Sequence, residues 1–117
     1  MRSRLAPPLL LPLLLPSLAL AGCGGPLADA EALFRRGQYP ATHQALLGLA
    51  AESRSWDDAE RAEYALYRGL TLMALGDRGR AALWLHEAKA VEDERPGSLA
   101  DADARRLAVA IASNELP

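Results

Sequence analysis

The sequence predicts an all-α domain behind an apolar leader, and three observations support this fold class. Alanine, leucine, arginine and glutamate dominate from Leu27 onward, and β-branched residues are scarce, which is a helix-forming composition. Apolar residues recur at three- and four-residue intervals. Turn or capping residues separate these periodic segments, most clearly at Gly37, at Gly76-Asp77 and at Pro96-Gly97. We therefore expect about five helices.

The N-terminal segment has the layout of a secretory signal peptide. Arg2 and Arg4 supply positive charge, and residues 5–20 form an apolar run that ends in small residues. A transmembrane anchor is the alternative. However, the run is shorter than the roughly 20 residues that span a bilayer, and its prolines each cost a helix interior about 3 kcal/mol. A cleaved signal over residues 1–22 is predicted.

The first two helices of the remaining chain are expected at about 27–36 and 40–52. Gly37 ends the first helix. Pro40 lies in the first turn of the second, where its missing N–H costs nothing. Leu46 and Leu49 follow helical spacing and are expected to face a core.

Three longer helices are expected after Arg54. The third, about 56–75, begins after Ser55 as N-cap, and Gly69 within it predicts the close approach of a neighbouring helix, because glycine there costs about 1 kcal/mol relative to alanine. Gly76-Asp77 ends this helix and caps the fourth, about 78–92. The acidic residues 92–94 are expected only to solvate its end. Ser98 is expected to open the fifth, about 98–113.

The residues Leu20-Ala21-Gly22-Cys23 resemble the lipobox of bacterial lipoproteins. The resemblance implies that signal peptidase II recognises Leu20, Ala21 and Gly22, cleaves before Cys23, and leaves a diacylglycerol on the Cys23 sulfur. Lipidation would account for a lone cysteine in an exported chain; a free or cross-linking thiol is the alternative. Gly24, where an aspartate would signal inner-membrane retention, favours the outer membrane in a host that has one.

A second resemblance is to the tetratricopeptide repeat, a helix–turn–helix unit of about 34 residues. It is carried by the pattern Gly69-x-x-Leu72-x-x-Leu75-Gly76-Asp77-x-x-x-Ala81-x-x-x-Leu85-x-x-Ala88, and a weaker copy precedes it at 33–39. The resemblance implies antiparallel helix pairs at about 27–53 and 57–93 and a capping helix at about 98–113. Together they form a domain over 27–117, joined to the membrane by a lipidated tether at 23–26.

Tetratricopeptide domains bind peptides or proteins in a groove formed by the first helix of each repeat. The resemblance places that groove at Glu31, Phe34, Arg35, Glu63, Leu66, Leu70 and Met73. For the apolar members the alternative is plain packing against the second helix. Trp84 is expected to wedge into the core against the capping helix, and Trp56 to pack at a loop–helix junction.

Composition argues against several function classes. Arg2 and Arg4 leave with the signal, so 11 of the 13 basic residues remain against 15 acidic ones, a formal charge of −4. Nucleic-acid binding requires a dense basic footprint, and attachment of the folded domain to anionic lipid requires positive charge. His43 and His86 have no partner at metal-ligand spacing and are expected at the surface. We expect no catalytic residues, metal, cofactor or small-molecule substrate.

The sequence therefore predicts a lipid-anchored envelope protein that acts as an adaptor for a protein or peptide partner, which it does not identify. An accessory lipoprotein in the assembly of a secretion or pilus apparatus is the alternative. A small hydrolase is a remote one, and it would require His43 or His86 to lie beside carboxylates.

Overall fold

The structure, a computed structural model, describes residues 24–117, and this part of the chain is helical without strands. Leu20, Ala21, Gly22 and Cys23 lie outside the described residues. None of the helices within 24–117 is long and apolar enough to cross a bilayer. The six helices are α1 (Pro26–Arg35), α2 (Tyr39–Leu47), α3 (Ala50–Ser53), α4 (Asp58–Ala74), α5 (Arg78–Glu94) and α6 (Asp101–Asn114).

Two helical hairpins and a final helix make up the domain. α1 and α2 pack on each other around Gly37, and α4 and α5 form the most extensive helix pair around Gly76. Both glycines have positive φ angles, +76° and +87°, which side-chain-bearing residues rarely adopt. α6 then packs on α5 and more lightly on α4, while α2 joins the two hairpins by packing on α4.

The α4–α5 pair is close because its interface is built from small residues. A Cβ atom added at Gly69 would lie 2.5 Å from the Leu85 Cδ2 atom and 3.2 Å from the Leu85 backbone nitrogen. Ala62 and Ala81 are fully buried beside them. The close approach expected at Gly69 is therefore present.

Large apolar side chains fill the core where the helices meet. Leu46, Leu66 and Leu85 are fully buried, and Leu107 of α6 closes the core from the other side. Leu75, which the repeat pattern places inside, is instead 42% exposed. α4 ends one residue earlier, so Leu75 lies in the turn beyond the helix pair.

The helix count differs from the five predicted because the second predicted helix is interrupted. α2 ends at Leu47, and the chain passes through Gly48 and Leu49 before the single turn of α3. The Leu49 amide bonds the Leu46 carbonyl at 3.0 Å, a tighter turn than the α-helix, and the Leu49 side chain is buried. The interruption brings α3 against α4.

One predicted N-cap is confirmed and two are wrong. Asp77 caps α5, since its carboxylate accepts from the Arg80 amide at 3.1 Å. Asp57 rather than Ser55 caps α4, accepting from the Glu60 amide at 2.9 Å. Aspartate in the extended conformation directly before the helix satisfies a free N–H that Ser55, two residues earlier, does not reach.

The third cap differs because α6 begins at Asp101, and the hydroxyl of Ser98 donates to the Arg95 carbonyl at 2.7 Å instead. Glu92 holds this connection: its carboxylate accepts the backbone amides of Gly97 and Leu99 at 2.9 and 2.8 Å. These bonds lower the pKa of Glu92 below its usual value. The expectation that Glu92 merely solvates the helix end is therefore wrong.

The end of α6 is tied to the start of α5. The Arg78 guanidinium donates to the carbonyls of Ser113 and Asn114 at 3.2 and 2.5 Å. The Asn114 side-chain amide returns a bond to the Arg78 carbonyl at 3.0 Å. Arg78 thus satisfies carbonyls that a helix C-terminus leaves without partners.

Candidate functional site

A cleft of about 690 Å³ opens between α3, α4 and α5. Positions 61, 64, 65 and 68 of α4 line it, because residues three, four and seven apart lie on one helix face. α3 lies across from them as a result of the interruption after α2, and α5 forms the second wall. The lining residues are Ala50, Ser53, Arg54, Arg61, Tyr64, Ala65, Arg68, Leu83, Trp84 and Glu87.

Arg68 forms the floor of this cleft and is 5% exposed. Its Nη1 atom donates to the Tyr64 hydroxyl at 3.0 Å, and that hydroxyl donates to the Leu46 carbonyl at 2.7 Å. The Arg68 Nε atom is buried and has no hydrogen-bond partner within residues 24–117. An arginine so deeply buried is normally paired with a carboxylate.

Aromatic rings hold the Arg68 guanidinium in place. Its central carbon lies 4.4 Å from the Trp84 ring centroid and 5.8 Å from that of Tyr64. Tyr64 in turn contacts Trp56 and Trp84 edge to face, with centroid separations of 5.6 and 5.8 Å. Cation–π contact stabilises the charge but satisfies none of its N–H donors. Trp84 therefore packs on α4, whereas the sequence predicts contact with the capping helix.

The cleft is a positively charged area on an acidic domain. Neither Arg68 nor Arg54 forms an ion pair with any residue in 24–117, and Arg54 is exposed. Arg61 is paired with Asp58 at 3.1 Å. Glu87 is the single acidic residue of the lining. Guanidinium groups beside apolar walls suit a ligand with an oxyanion and an apolar body.

His43 of α2 lies close enough to these arginines for their charge to affect its pKa. Burial, and then the positive charges of Arg68 and Arg80, lower the pKa of His43 below its usual value. Its Nδ1 atom is buried and has no hydrogen-bond partner among the described residues. His43 is therefore only partly exposed, whereas the sequence predicts a solvated surface position. His86 is exposed, with its Nδ1 atom 2.8 Å from the Ala82 carbonyl.

The structure does not bring the seven predicted groove residues into one surface. Leu66 is fully buried in the core, so its predicted groove position is wrong and the packing alternative is correct. Leu70 and Met73 line a separate shallow groove against α6, together with Val109. Arg35 is exposed at the end of α1. Phe34 contacts the rings of Tyr39 and Tyr67, with centroids 5.2 and 5.5 Å away.

Glu31 and Glu63 form a carboxyl pair where α1 meets α4. Glu31 is 8% exposed. Burial, and then the neighbouring Glu63 carboxyl and the negative charge of Asp103, raise the pKa of Glu31 to about 8. Arg35 opposes this shift only weakly. Glu31 is therefore protonated at neutral pH, which makes it a packing contact of α1 and not a charged groove residue.

Sequence reasoning did not identify the residues that build the cleft. Arg68 lies among buried positions of α4, and its four-residue spacing from Tyr64 and from Leu72 places it on the apolar face. A charged residue on the apolar face of a helix is itself an indication of a functional site. The contacts that complete the site come from α2 and α5, and no local pattern indicates them.

No group of three or more histidine, cysteine, aspartate or glutamate side chains is placed to hold a metal ion within residues 24–117. Comparisons of the chain with protein-family models, curated proteins and solved structures find no match.

Proposed function

We propose that this protein is a lipid-anchored adaptor that holds a partner protein at the bacterial cell envelope, with the cleft floored by Arg68 as its partner-binding site. The observation that carries the proposal is a guanidinium that is 5% exposed and has no acidic partner in the described chain. An unpaired buried charge costs folding free energy. A ligand that brings the missing anion recovers that cost on binding.

The composition of the cleft supports a protein ligand. Trp, Tyr and Arg are the residue types that contribute most to protein–protein affinity, and Trp84, Tyr64 and Arg68 lie together here. Leu83, on the α5 wall, is 71% exposed. An exposed apolar side chain beside a desolvated centre resembles the arrangement of interface hot spots.

The helical hairpin supports the finer assignment to a tetratricopeptide-like unit. Gly69 against Leu85, and the turn at Gly76-Asp77, are the features on which the resemblance depends. Under this proposal α4 is the first helix of a repeat and α5 the second. The partner would then contact both helices at the cleft, whereas the sequence places the groove on the first helices alone.

Anchoring through Cys23 completes the proposal. Two or more acyl chains hold a protein stably at a membrane, and one chain does so only marginally. Because α1 begins at Pro26, the anchor would keep the domain within a few residues of the lipid surface. A partner bound in the cleft would be retained there without a membrane-spanning segment of its own.

Membrane fractionation of Cys23→Ala, together with affinity purification from cross-linked envelopes, tests the proposal. We expect the variant to remain unlipidated and uncleaved by signal peptidase II, with only its apolar leader to retain it, and the wild type to enrich a specific partner. Cleavage and membrane association that match the wild type would contradict the anchor. Recovery of only those envelope proteins that an unrelated lipoprotein also recovers would contradict the adaptor role.

A further inference from the structure

We propose that the cleft recognises an acidic peptide segment of the partner, with one side-chain carboxylate on Arg68 and a second on Arg54. This inference rests on the proposed function and adds the chemical class of the ligand. It follows from the ion pairs that some charged residues of the cleft form, from the arginines that form none, and from the shape and charge of the cleft walls.

The floor of the cleft requires an anion. Within 24–117 Arg68 has one hydrogen-bonding partner, the Tyr64 hydroxyl, and the imidazole of His43 on α2, whose pKa is lowered, provides no negative charge. The two flanking rings fix the guanidinium plane, so a carboxylate that enters the cleft meets a donor that is already oriented.

The remaining charged residues of the cleft lining define a binding position for a second carboxylate. Arg61 is paired with Asp58, which also forms an ion pair with Arg95 at 3.1 Å. Arg54, at the end of α3, is exposed and has no such partner within 24–117. Two free guanidinium groups in one cleft favour a ligand with two separated carboxylates.

The net negative charge of the domain restricts the ligand to one that fits closely into the cleft. The region after the predicted signal has a formal charge of −4, so an acidic protein is repelled at a distance and attracted only within the cleft. A short extended segment satisfies this condition better than a broad acidic surface does. A volume of about 690 Å³ is typical of sites that enclose a ligand of drug size, which corresponds to a few residues.

Glu87 favours a peptide over a phosphate-bearing ligand. Glu87 lies on the same lining as Arg68 and would repel a phosphate dianion more strongly than a carboxylate, which carries a single charge. The Glu87 side chain can also accept a backbone N–H, a donor that peptides have and phosphatidylglycerol lacks. Leu83 and Trp84 provide apolar area for the side chains between two acidic residues.

The test uses full-length protein in uncharged detergent micelles and its two tryptophans as the readout, since Trp84 lines the cleft and Trp56 contacts Tyr64. The probes are N-acetylated, C-amidated hexapeptides of alanine and leucine with two glutamates at every pair of positions, and the same set with glutamine. We expect the best glutamate peptide to bind at least tenfold tighter than its glutamine counterpart. That preference should disappear in Arg68→Met and fall several-fold in Arg54→Gln.

Arg36→Gln is the matched control, because Arg36 is an exposed arginine at the end of α1 and outside the cleft. It should bind as the wild type does. If Arg68→Met does not fold, the exposed Arg54→Gln variant decides alone, and equal affinity for both peptide sets in the wild type overturns the proposal without it.

The outcomes separate this inference from the proposed function. Equal, Arg68-dependent binding of glutamate and glutamine peptides overturns the acidic ligand and leaves the adaptor site intact. A tryptophan response to inorganic phosphate or to phosphatidylglycerol vesicles, with neither peptide set binding, overturns both. Peptide binding that Arg68→Met leaves unchanged overturns the assignment of the cleft.

Discussion

At the scale of single residues, Arg68 is predicted to have opposite effects on stability and on binding. Burying a charge without a counter-ion destabilises the folded state, and replacement of buried charges by apolar side chains of similar volume is often stabilising. The Arg68 side chain also contacts two rings and one hydroxyl, so its stem contributes packing. We therefore expect the charge of Arg68 to serve a ligand and its stem to serve the fold.

Arg68→Met is predicted to raise the free energy of unfolding by about 1 kcal/mol while it abolishes partner binding. Methionine keeps an unbranched stem against Trp84 and removes the unpaired charge. Urea denaturation followed by far-UV circular dichroism measures the change. A loss of stability of 2 kcal/mol or more on the same scale would mean that the domain itself compensates the charge.

Glu31 is predicted to make stability depend on pH. Its folded-state pKa, about 8, lies above the ordinary value of 4.5, so the stability it contributes is complete below pH 4.5 and is lost as the pH rises through about 8. Glu31→Gln should remove this decline and stabilise the protein at pH 9 by roughly 1–3 kcal/mol. Denaturation curves between pH 4.5 and 9 provide the measurement.

Asp29→Asn is the control for Glu31, since Asp29 is an exposed acid on the same helix. It should leave the decline in place. If Glu31→Gln and the wild type lose stability in parallel over this range, Glu31 is ionised in the folded protein and the carboxyl pair has been assigned wrongly.

At the scale of helices, the close contact between α4 and α5 depends on one glycine. Gly69→Ala places a methyl group within 2.5 Å of a Leu85 methyl and 3.2 Å of its backbone nitrogen. We predict a net destabilisation of up to about 2 kcal/mol, because overpacking costs about 1–3 kcal/mol and alanine recovers about 1 in helix propensity. Thermal and urea unfolding measure it.

Gly79→Ala provides the matched comparison within the same hairpin. Gly79 is exposed in the first turn of α5, and a methyl group there meets no atom within 4 Å. It should stabilise the protein by about 0.5–1 kcal/mol. Equal effects of the two substitutions would show that the helices are less closely packed at Gly69 than the structure has them.

Glu92 links α5 to α6 through the backbone amides of Gly97 and Leu99. Because these bonds lower its pKa, the stability it contributes is present above about pH 4.5 and is lost as the pH falls through the folded-state pKa. Glu92→Gln should lower the melting temperature at pH 7, and by progressively less as the pH falls below 4.5. Hydrogen exchange of the Leu99 amide, faster in the variant, would locate the effect; unchanged exchange would contradict it.

The hairpins could be predicted from the sequence because their signals are local. Gly37 and Gly76 require positive φ angles at turns, and Asp77 caps the helix that follows it. Asp57 caps α4 where the sequence predicts Ser55, because the helix begins at Asp58, two residues later than predicted. The break after Leu47 was not predictable, because the burial of Leu49 depends on α4.

At the scale of the whole molecule, the cleft exists only because three separate elements meet. Tyr64 reaches the Leu46 carbonyl across 18 residues, and Trp84 reaches Arg68 from the opposite helix of the hairpin. Contacts between residues so far apart in the chain produce no periodic pattern in the sequence. The sequence therefore predicted a groove on α1 and α4 instead. The all-helical class followed from composition, the spacing of apolar residues and the turn residues between the segments.

The predicted domain is small, and domains of this size bury only about 60–65% of their unfolded surface. α6 supplies part of the missing contact through Leu107, and Arg78 fixes its end. We propose that a partner bound in the cleft supplies further contact, so binding should raise the free energy of unfolding of the domain.

A photo-crosslinking amino acid at position 83 in intact cells tests most directly whether the cleft binds a partner protein, because Leu83 is 71% exposed and lines the cleft. Val109, 66% exposed beside Leu70 and Met73 in the shallow groove, is the matched position. We predict a discrete crosslinked partner from position 83 that disappears in Arg68→Met. Crosslinking from position 109 alone, or crosslinking from position 83 that persists in Arg68→Met, would contradict the account.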